Sequence, residues 1–167
     1  MHSYRKTLGS LSLTALCLSV AAQTASPQYD ARGDPPTGSA IRSTYASGGN
    51  LPINKRYDEF TVEEKETLNQ FYEKMGPGDE PPFPAYGLKP IYTALARIQG
   101  ELRVRGELYL FATVDQDGKV VQVKALGNPD PEMTKLAATV LSLTRFKPAL
   151  CKGVPCTMDY PFRLNFK

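Results

Sequence analysis

The C-terminal end of the chain constrains the fold most, because residues 157–166 alternate between apolar and polar side chains. A period of two predicts a β-strand with one face packed against a core and the other in water. Pro161 lies inside this strand, and proline cannot donate a ladder hydrogen bond, so it is confined to sheet edges and bulges. The last strand is therefore predicted at or near a sheet edge. Its apolar positions are Met158, Tyr160, Phe162, Leu164 and Phe166.

A β-hairpin is predicted upstream of this strand. Residues 108–114 alternate in the same way, and residues 120–126 form the returning strand. Between them, Asp115 to Gly118 reads Asp-Gln-Asp-Gly, and Asp-Gly is a strong hairpin signal.

A helix is predicted between the hairpin and the last strand. Asp130 is a suitable N-cap, and Pro131 suits the first helical position. The predicted fold class is therefore α+β: a small antiparallel three-stranded sheet, in the order hairpin, helix, strand, covered by one helix. The buried stripe of that helix comprises Met133, Leu136, Ala137, Val140 and Leu141.

An extra N-terminal helix is predicted at about 62–75. Thr61 and Glu64 form a capping box, and Gly76-Pro77-Gly78 stops the helix. Residues 57–89 are accordingly interpreted as a helix followed by a Pro-rich connector. A further short helix is expected over 91–98.

The N-terminus resembles an export signal. Arg5 and Lys6 precede an apolar or small run from Leu8 to Ala22. Residues 1–22 are thus predicted to be removed, with Ala25 as an alternative last residue. The alternative of an uncleaved inner-membrane anchor facing the periplasm requires about 20 apolar residues, more than this run supplies. Residues 23–56 are rich in Ser, Gly, Pro and Thr, and they are predicted to be a disordered linker.

Charge and histidine content exclude several functions. Signal removal leaves 18 basic residues (20 less Arg5 and Lys6) against 17 acidic ones, a net charge of +1, which does not indicate nucleic-acid binding. His2, the only histidine, leaves with the signal, so a histidine-based triad and a histidine metal site are excluded. No cofactor is expected. The carboxylates at Asp115, Asp117, Asp130 and Glu132 read as turn and cap residues, so no catalytic residue is predicted and the protein is not expected to be an enzyme.

Cys151 and Cys156 are the cysteines that remain after signal removal. Two cysteines in an exported protein predict a disulfide, and Gly153 and Pro155 favour a turn between them. Free thiols and redox exchange remain alternatives.

Several segments of the C-terminal half occur in a set order, namely Gly106 and residues 114–120, 145–149, 153–155 and 160–164. With these segments, residues 90–167 resemble the C-terminal domain of the TonB family. The resemblance implies a periplasmic domain of the cell envelope that serves transport across the outer membrane. It also implies that the domain accepts an extended peptide of an outer-membrane receptor, or of another envelope protein, by strand addition.

The predicted partner-binding residues are Tyr160, Phe162, Arg163 and Asn165 on the last strand. The alternative for Tyr160 and Phe162 is packing in the core, and for Arg163 and Asn165 it is simple solvation. The function predicted from the sequence is a periplasmic binding or adaptor module. The alternatives are a membrane-anchored energy transducer and a stand-alone structural domain that forms a homodimer through its edge strand.

Overall fold

A computed structural model describes residues 28–30, 41, 51–127 and 130–166. Its main sheet contains three antiparallel strands, which confirms the predicted α+β class. Strand β3 (Gly106–Val114) lies in the middle, with β4 (Val120–Leu126) on one side and β8 (Met158–Phe166) on the other. The order hairpin, helix, strand follows the sequence prediction. The predicted export signal, 1–22, lies outside the described residues.

A fourth strand, β1 (Gln28–Asp30), pairs in parallel with β4. These residues belong to the stretch 23–56, whose composition predicted a linker. In the same stretch, Ile41 is buried and pairs with Tyr72 in an isolated antiparallel bridge. The sequence did not indicate either contact, because both depend on partners that are distant along the chain.

Two helices, rather than the one predicted, cover the same face of the sheet. Helix α3 (Pro131–Leu143) begins at Asp130, whose carboxylate accepts a hydrogen bond of 2.8 Å from the amide of Met133, as the cap prediction required. Helix α2 (Lys89–Leu102) lies beside α3 and is longer than the predicted 91–98 helix. Its Tyr92 ring lies 5.5 Å from the Phe162 ring of β8, so α2 also packs on the sheet.

The N-terminal helix α1 (Val62–Asn69) is present with its predicted capping box, but it ends at Asn69 rather than Met75. The chain leaves the helix in a tight turn, and Phe71 and Tyr72 are then buried in the core. Burying these two large aromatic side chains stabilises the fold more than the few hydrogen bonds of an additional helical turn would, because each such bond contributes only a modest net free energy.

Residues 57–89 are an integral part of the core rather than only a connector. The Phe60 and Phe83 rings are 4.9 Å apart, and Phe83 lies edge-on to Tyr160 at 6.1 Å. On the other side of Tyr160, Phe146 contacts it at 5.3 Å. Edge-to-face aromatic pairs of this kind add stability beyond the apolar area they bury.

Two short two-stranded sheets complete the fold. Strand β2 (Phe83–Pro84) pairs with β5 (Phe146–Lys147), and β6 (Ala149–Cys151) pairs with β7 (Val154–Cys156). The second pair carries the disulfide between Cys151 and Cys156, whose Cα atoms are 5.8 Å apart, and this confirms the predicted pairing.

Candidate functional site

Strand β8 is the last strand on its side of the sheet among the described residues. The carbonyl oxygen of Asp159 accepts a hydrogen bond from the hydroxyl of Tyr72, so it points away from β3. Main-chain groups two residues apart on a strand point the same way. The residues of β8 whose main-chain groups point away from β3 are therefore Asp159, Pro161, Arg163 and Asn165.

Pro161 occupies one of these outward positions, which agrees with the sequence argument for an edge strand. Its missing N–H would face away from β3, so the β3–β8 ladder loses no hydrogen bond. The register continues without interruption from Met158 opposite Val114 to Phe166 opposite Gly106. The proline thus marks the edge without weakening the strand's attachment to the sheet.

A groove of about 520 Å³ lies between helix α2 and the C-terminal half of β8. One wall is formed by side chains of α2 and the other by residues 163–166. A groove of this kind, bounded by an edge strand and a helix, is suited to an extended segment lying parallel to the strand. The α2 residues in the wall are Tyr92, Leu95, Ala96 and Gln99.

Gln99 is one of the residues that line this groove. Its amide nitrogen donates a hydrogen bond of 2.6 Å to the carbonyl oxygen of Val104. Val104 lies just past the C-terminal end of α2, so this bond fixes the Gln99 side chain against the segment that follows the helix. Its amide oxygen is buried and has no hydrogen-bond partner among the residues that the structure describes.

The carboxylate of Glu107 joins β3 to β8 on the face opposite the helices. It accepts hydrogen bonds from Arg163 at 2.5 Å, from the hydroxyl of Tyr109 at 2.7 Å and from the side-chain amide of Asn165 at 3.0 Å. The Tyr109 and Arg163 bonds hold the pKa of Glu107 below its ordinary value. The bond to Glu107 raises the pKa of Tyr109, because it favours the protonated phenol.

The four residues predicted to bind a partner are divided between two environments. Tyr160 and Phe162 are each 2% exposed, so their side chains belong to the core. Tyr160 contacts Phe83 and Phe146, and Phe162 contacts Tyr92 of α2. Arg163 and Asn165 lie on the opposite face, where both contact Glu107. All four residues belong to β8. Arg163 and Asn165 also have main-chain groups on the outward side of that strand.

Sequence reasoning missed the other half of the site, namely Tyr92, Gln99 and Glu107. Glu107 and Tyr109 are two residues apart on a strand, which indicates a shared face. No local signal shows that Arg163 and Asn165 lie opposite them. The spacing of Tyr92 and Gln99, seven residues apart on a helix, indicates a shared side, but not that β8 is the neighbour.

The Cys151–Cys156 hairpin is tied to residues 76–80. The amide of Lys152 donates to the carboxylate of Asp79 at 2.8 Å, and the amide of Gly153 donates to the carbonyl oxygen of Gly78 at 2.8 Å. The Lys152 and Gly76 amides lower the pKa of Asp79. None of these residues lines the groove beside β8, so the disulfide acts on the fold rather than on the groove.

Within the described ranges, no helix is long and apolar enough to cross a bilayer. In the same part of the chain, no group of three or more His, Cys, Asp or Glu side chains is arranged to hold a metal ion. Asp115 instead accepts the amides of Asp117 and Lys119, as a turn residue does.

No family model matches this chain, and neither the curated proteins nor the solved structures include a match to it. The resemblance to the TonB C-terminal domain therefore stays a prediction from the sequence.

Proposed function

We propose that this protein is a periplasmic binding module that accepts an extended peptide by strand addition beside β8, in support of TonB-dependent transport across the outer membrane. The observation that carries the proposal is the groove between α2 and residues 163–166, alongside the last described strand of the sheet. The predicted export signal supports the periplasmic compartment, and the family resemblance supports the partner class. An outer-membrane receptor or another envelope protein would supply the peptide.

The proposed site lies at the C-terminal half of β8. At the other half, the Tyr72 hydroxyl already occupies the outward carbonyl of Asp159, and Pro161 has no N–H to offer. The main-chain N–H and C=O of Asn165 face outward by the same alternation. A peptide strand placed there would hydrogen-bond to Asn165 and direct alternate side chains toward α2.

Affinity and selectivity come from different groups in this proposal. Main-chain hydrogen bonds to β8 supply attachment that does not depend on the peptide's sequence. Selectivity comes from the wall on α2, where Tyr92 and Ala96 offer apolar contact. The preferred peptide thus carries an apolar side chain on the side that faces α2.

The test compares Asn165→Pro with Asn165→Ala. Both variants lose the side-chain bond to Glu107, but only the proline removes the outward N–H, at a position equivalent to that of the native Pro161. The probes are peptides from the N-termini of outer-membrane receptors, titrated against ¹⁵N-labelled protein. We expect shift changes at 163–166 and 92–99, and an affinity about tenfold weaker for Asn165→Pro than for Asn165→Ala.

Two results would reject the proposal. One is saturable peptide binding whose shift changes fall outside both segments. The other is equal peptide affinity for the two variants, since a strand-addition site must depend on the Asn165 amide. Circular dichroism and the dispersion of the amide spectrum establish that each variant is folded.

The same edge supports one second candidate, a homodimer formed by antiparallel pairing of β8 with β8 of a second copy. Sedimentation velocity over a wide range of protein concentrations separates the two functions. A dimer that Asn165→Pro dissociates and Asn165→Ala retains would favour this alternative. A single monomeric species at all concentrations would remove it.

A further inference from the structure

A second groove, of about 380 Å³, lies on a different part of the molecule. It runs between the start of α2, at Pro90 and Ile91, and the C-terminal end of α3, at Val140 and Leu143. It has no lining residue in common with the groove beside β8. An effect at one groove can therefore be separated from an effect at the other.

Two large apolar side chains stand exposed at this second groove. Tyr86 is 76% exposed and Leu143 is 80% exposed, whereas Ile91, which also lines the groove, is only 2% exposed. A leucine left in water forgoes about 1.5–3 kcal/mol relative to full burial. Grouping such residues along a concave surface is typical of a contact site for another protein.

Arg145 is the one charged residue among those that line this groove. It lies two residues beyond the end of α3, and its main-chain carbonyl accepts the amide of Ala85 at 2.9 Å, which fixes the backbone against the opposite wall. Within the described part of the chain, no carboxylate forms an ion pair with its guanidinium. An exposed cation beside apolar walls is complementary to an apolar segment that carries a carboxylate.

We infer that this groove binds a short apolar segment of a partner protein that contains an Asp or Glu side chain. The apolar residues of the segment lie against Tyr86, Val140 and Leu143, and its carboxylate pairs with Arg145. The binding module thus has a second docking surface, independent of strand addition at β8.

The experiment uses three fluorescein-labelled peptides that differ at one position: Gly-Leu-Pro-Leu-Glu-Leu-Gly and its counterparts with Gln or Lys in place of Glu. Fluorescence anisotropy gives the affinities, and ¹⁵N shift changes locate the site. We expect the Glu peptide to bind tightest, with shift changes at Tyr86, Ile91, Leu143 and Arg145. Arg145→Glu should weaken the Glu peptide about tenfold and strengthen the Lys peptide.

Matched controls keep each result specific. Lys135→Glu makes the same kind of charge change at an exposed position of α3 and should leave all three affinities unchanged. Leu143→Ser should weaken all three peptides equally, while Val154→Ser, at a side chain 65% exposed on β7, should not. Asn165→Pro should have no effect on this binding.

The inference is overturned if the Glu and Gln peptides bind equally, or if Lys135→Glu acts as strongly as Arg145→Glu. Shift changes that concentrate on 163–166 would also overturn it, because the peptide would then be using the β8 groove. An unfolded variant could not bind the Lys peptide more tightly, so a higher affinity of Arg145→Glu for that peptide also shows that the variant is folded.

Discussion

The hydroxyl of Tyr72 donates a hydrogen bond of 2.9 Å to the main-chain carbonyl oxygen of Asp159. The Tyr72 side chain is 1% exposed, and it joins the N-terminal half of the described chain to the outer side of β8. Because this bond occupies an outward carbonyl, Tyr72 also limits how far an added strand can extend along the edge. One buried side chain thereby connects the segment before α2 to strand β8.

Tyr72→Phe should lower the free energy of unfolding by about 1–3 kcal/mol, because it leaves the Asp159 carbonyl without this donor while keeping the ring. Urea denaturation measures the change, and hydrogen exchange should speed up near 158–160. Tyr86→Phe is the control: Tyr86 is 76% exposed, so its change should stay within about 0.5 kcal/mol. Equal effects of the two substitutions would show that the Tyr72 hydroxyl does not stabilise β8.

Gly118→Ala should destabilise the protein strongly. Gly118 has φ +74°, and a Cβ there would collide with the carbonyl oxygen of Phe146, while its own carbonyl accepts the Phe146 amide at 2.9 Å. Left-handed strain and the clash together should cost about 2–4 kcal/mol.

Gly100→Ala supplies the opposite expectation. Gly100 lies inside α2, and a Cβ there would meet nothing within 4 Å, so the substitution should stabilise by about 0.5–1 kcal/mol. Thermal unfolding of both variants tests the pair. Destabilisation by Gly100→Ala would contradict the helix as described.

The ion-pair cluster at Glu107 predicts a pH dependence. The lowered pKa of Glu107 means that its contribution to stability is present above its ordinary value of 4.5 and is lost as the pH falls through the folded pKa. The difference in unfolding free energy between the native protein and Glu107→Gln should therefore shrink as the pH falls below 4.5. Urea titrations at a series of pH values measure it.

A direct titration identifies the cause of this shift. The Glu107 carboxyl carbon, followed by NMR, should titrate below its ordinary range in the native protein. Tyr109→Phe should move the midpoint upward more than Asn165→Ala does, because the Tyr109 bond contributes most and the Asn165 bond least among the three. A larger effect of Asn165→Ala would reverse this ranking.

Removal of the disulfide should be tolerated but measurable. Cys151 and Cys156 close a short loop, so the double substitution Cys151→Ser/Cys156→Ser should lower stability by about 2 kcal/mol on the loop-entropy estimate. Peptide affinity at the β8 groove should be unchanged, since neither cysteine lines it. A loss of peptide binding with the fold retained would connect the hairpin to the site.

Local patterns in the sequence were sufficient for several elements. The period-two alternation predicted β3 and β8, and the Asp-Gly turn predicted β4 as the returning strand. The capping residues Thr61 and Asp130 marked two helix starts, and Pro161 indicated an edge strand. Each of these signals depends on the residue's own backbone chemistry or on neighbours a few positions away. For that reason they can be read without knowledge of the fold.

Other features depended on tertiary contacts. Helix α1 ends at Asn69 because Phe71 and Tyr72 find buried positions that no local signal describes. The groove beside β8 exists because α2 packs on the sheet next to Phe162. The cluster around Glu107 forms because the register between β3 and β8 places Arg163 and Asn165 beside it. The sequence by itself determined that the last strand belongs at an edge, since proline lacks an N–H. Only the tertiary structure decided which surfaces lie beside that edge, because they join residues far apart along the chain.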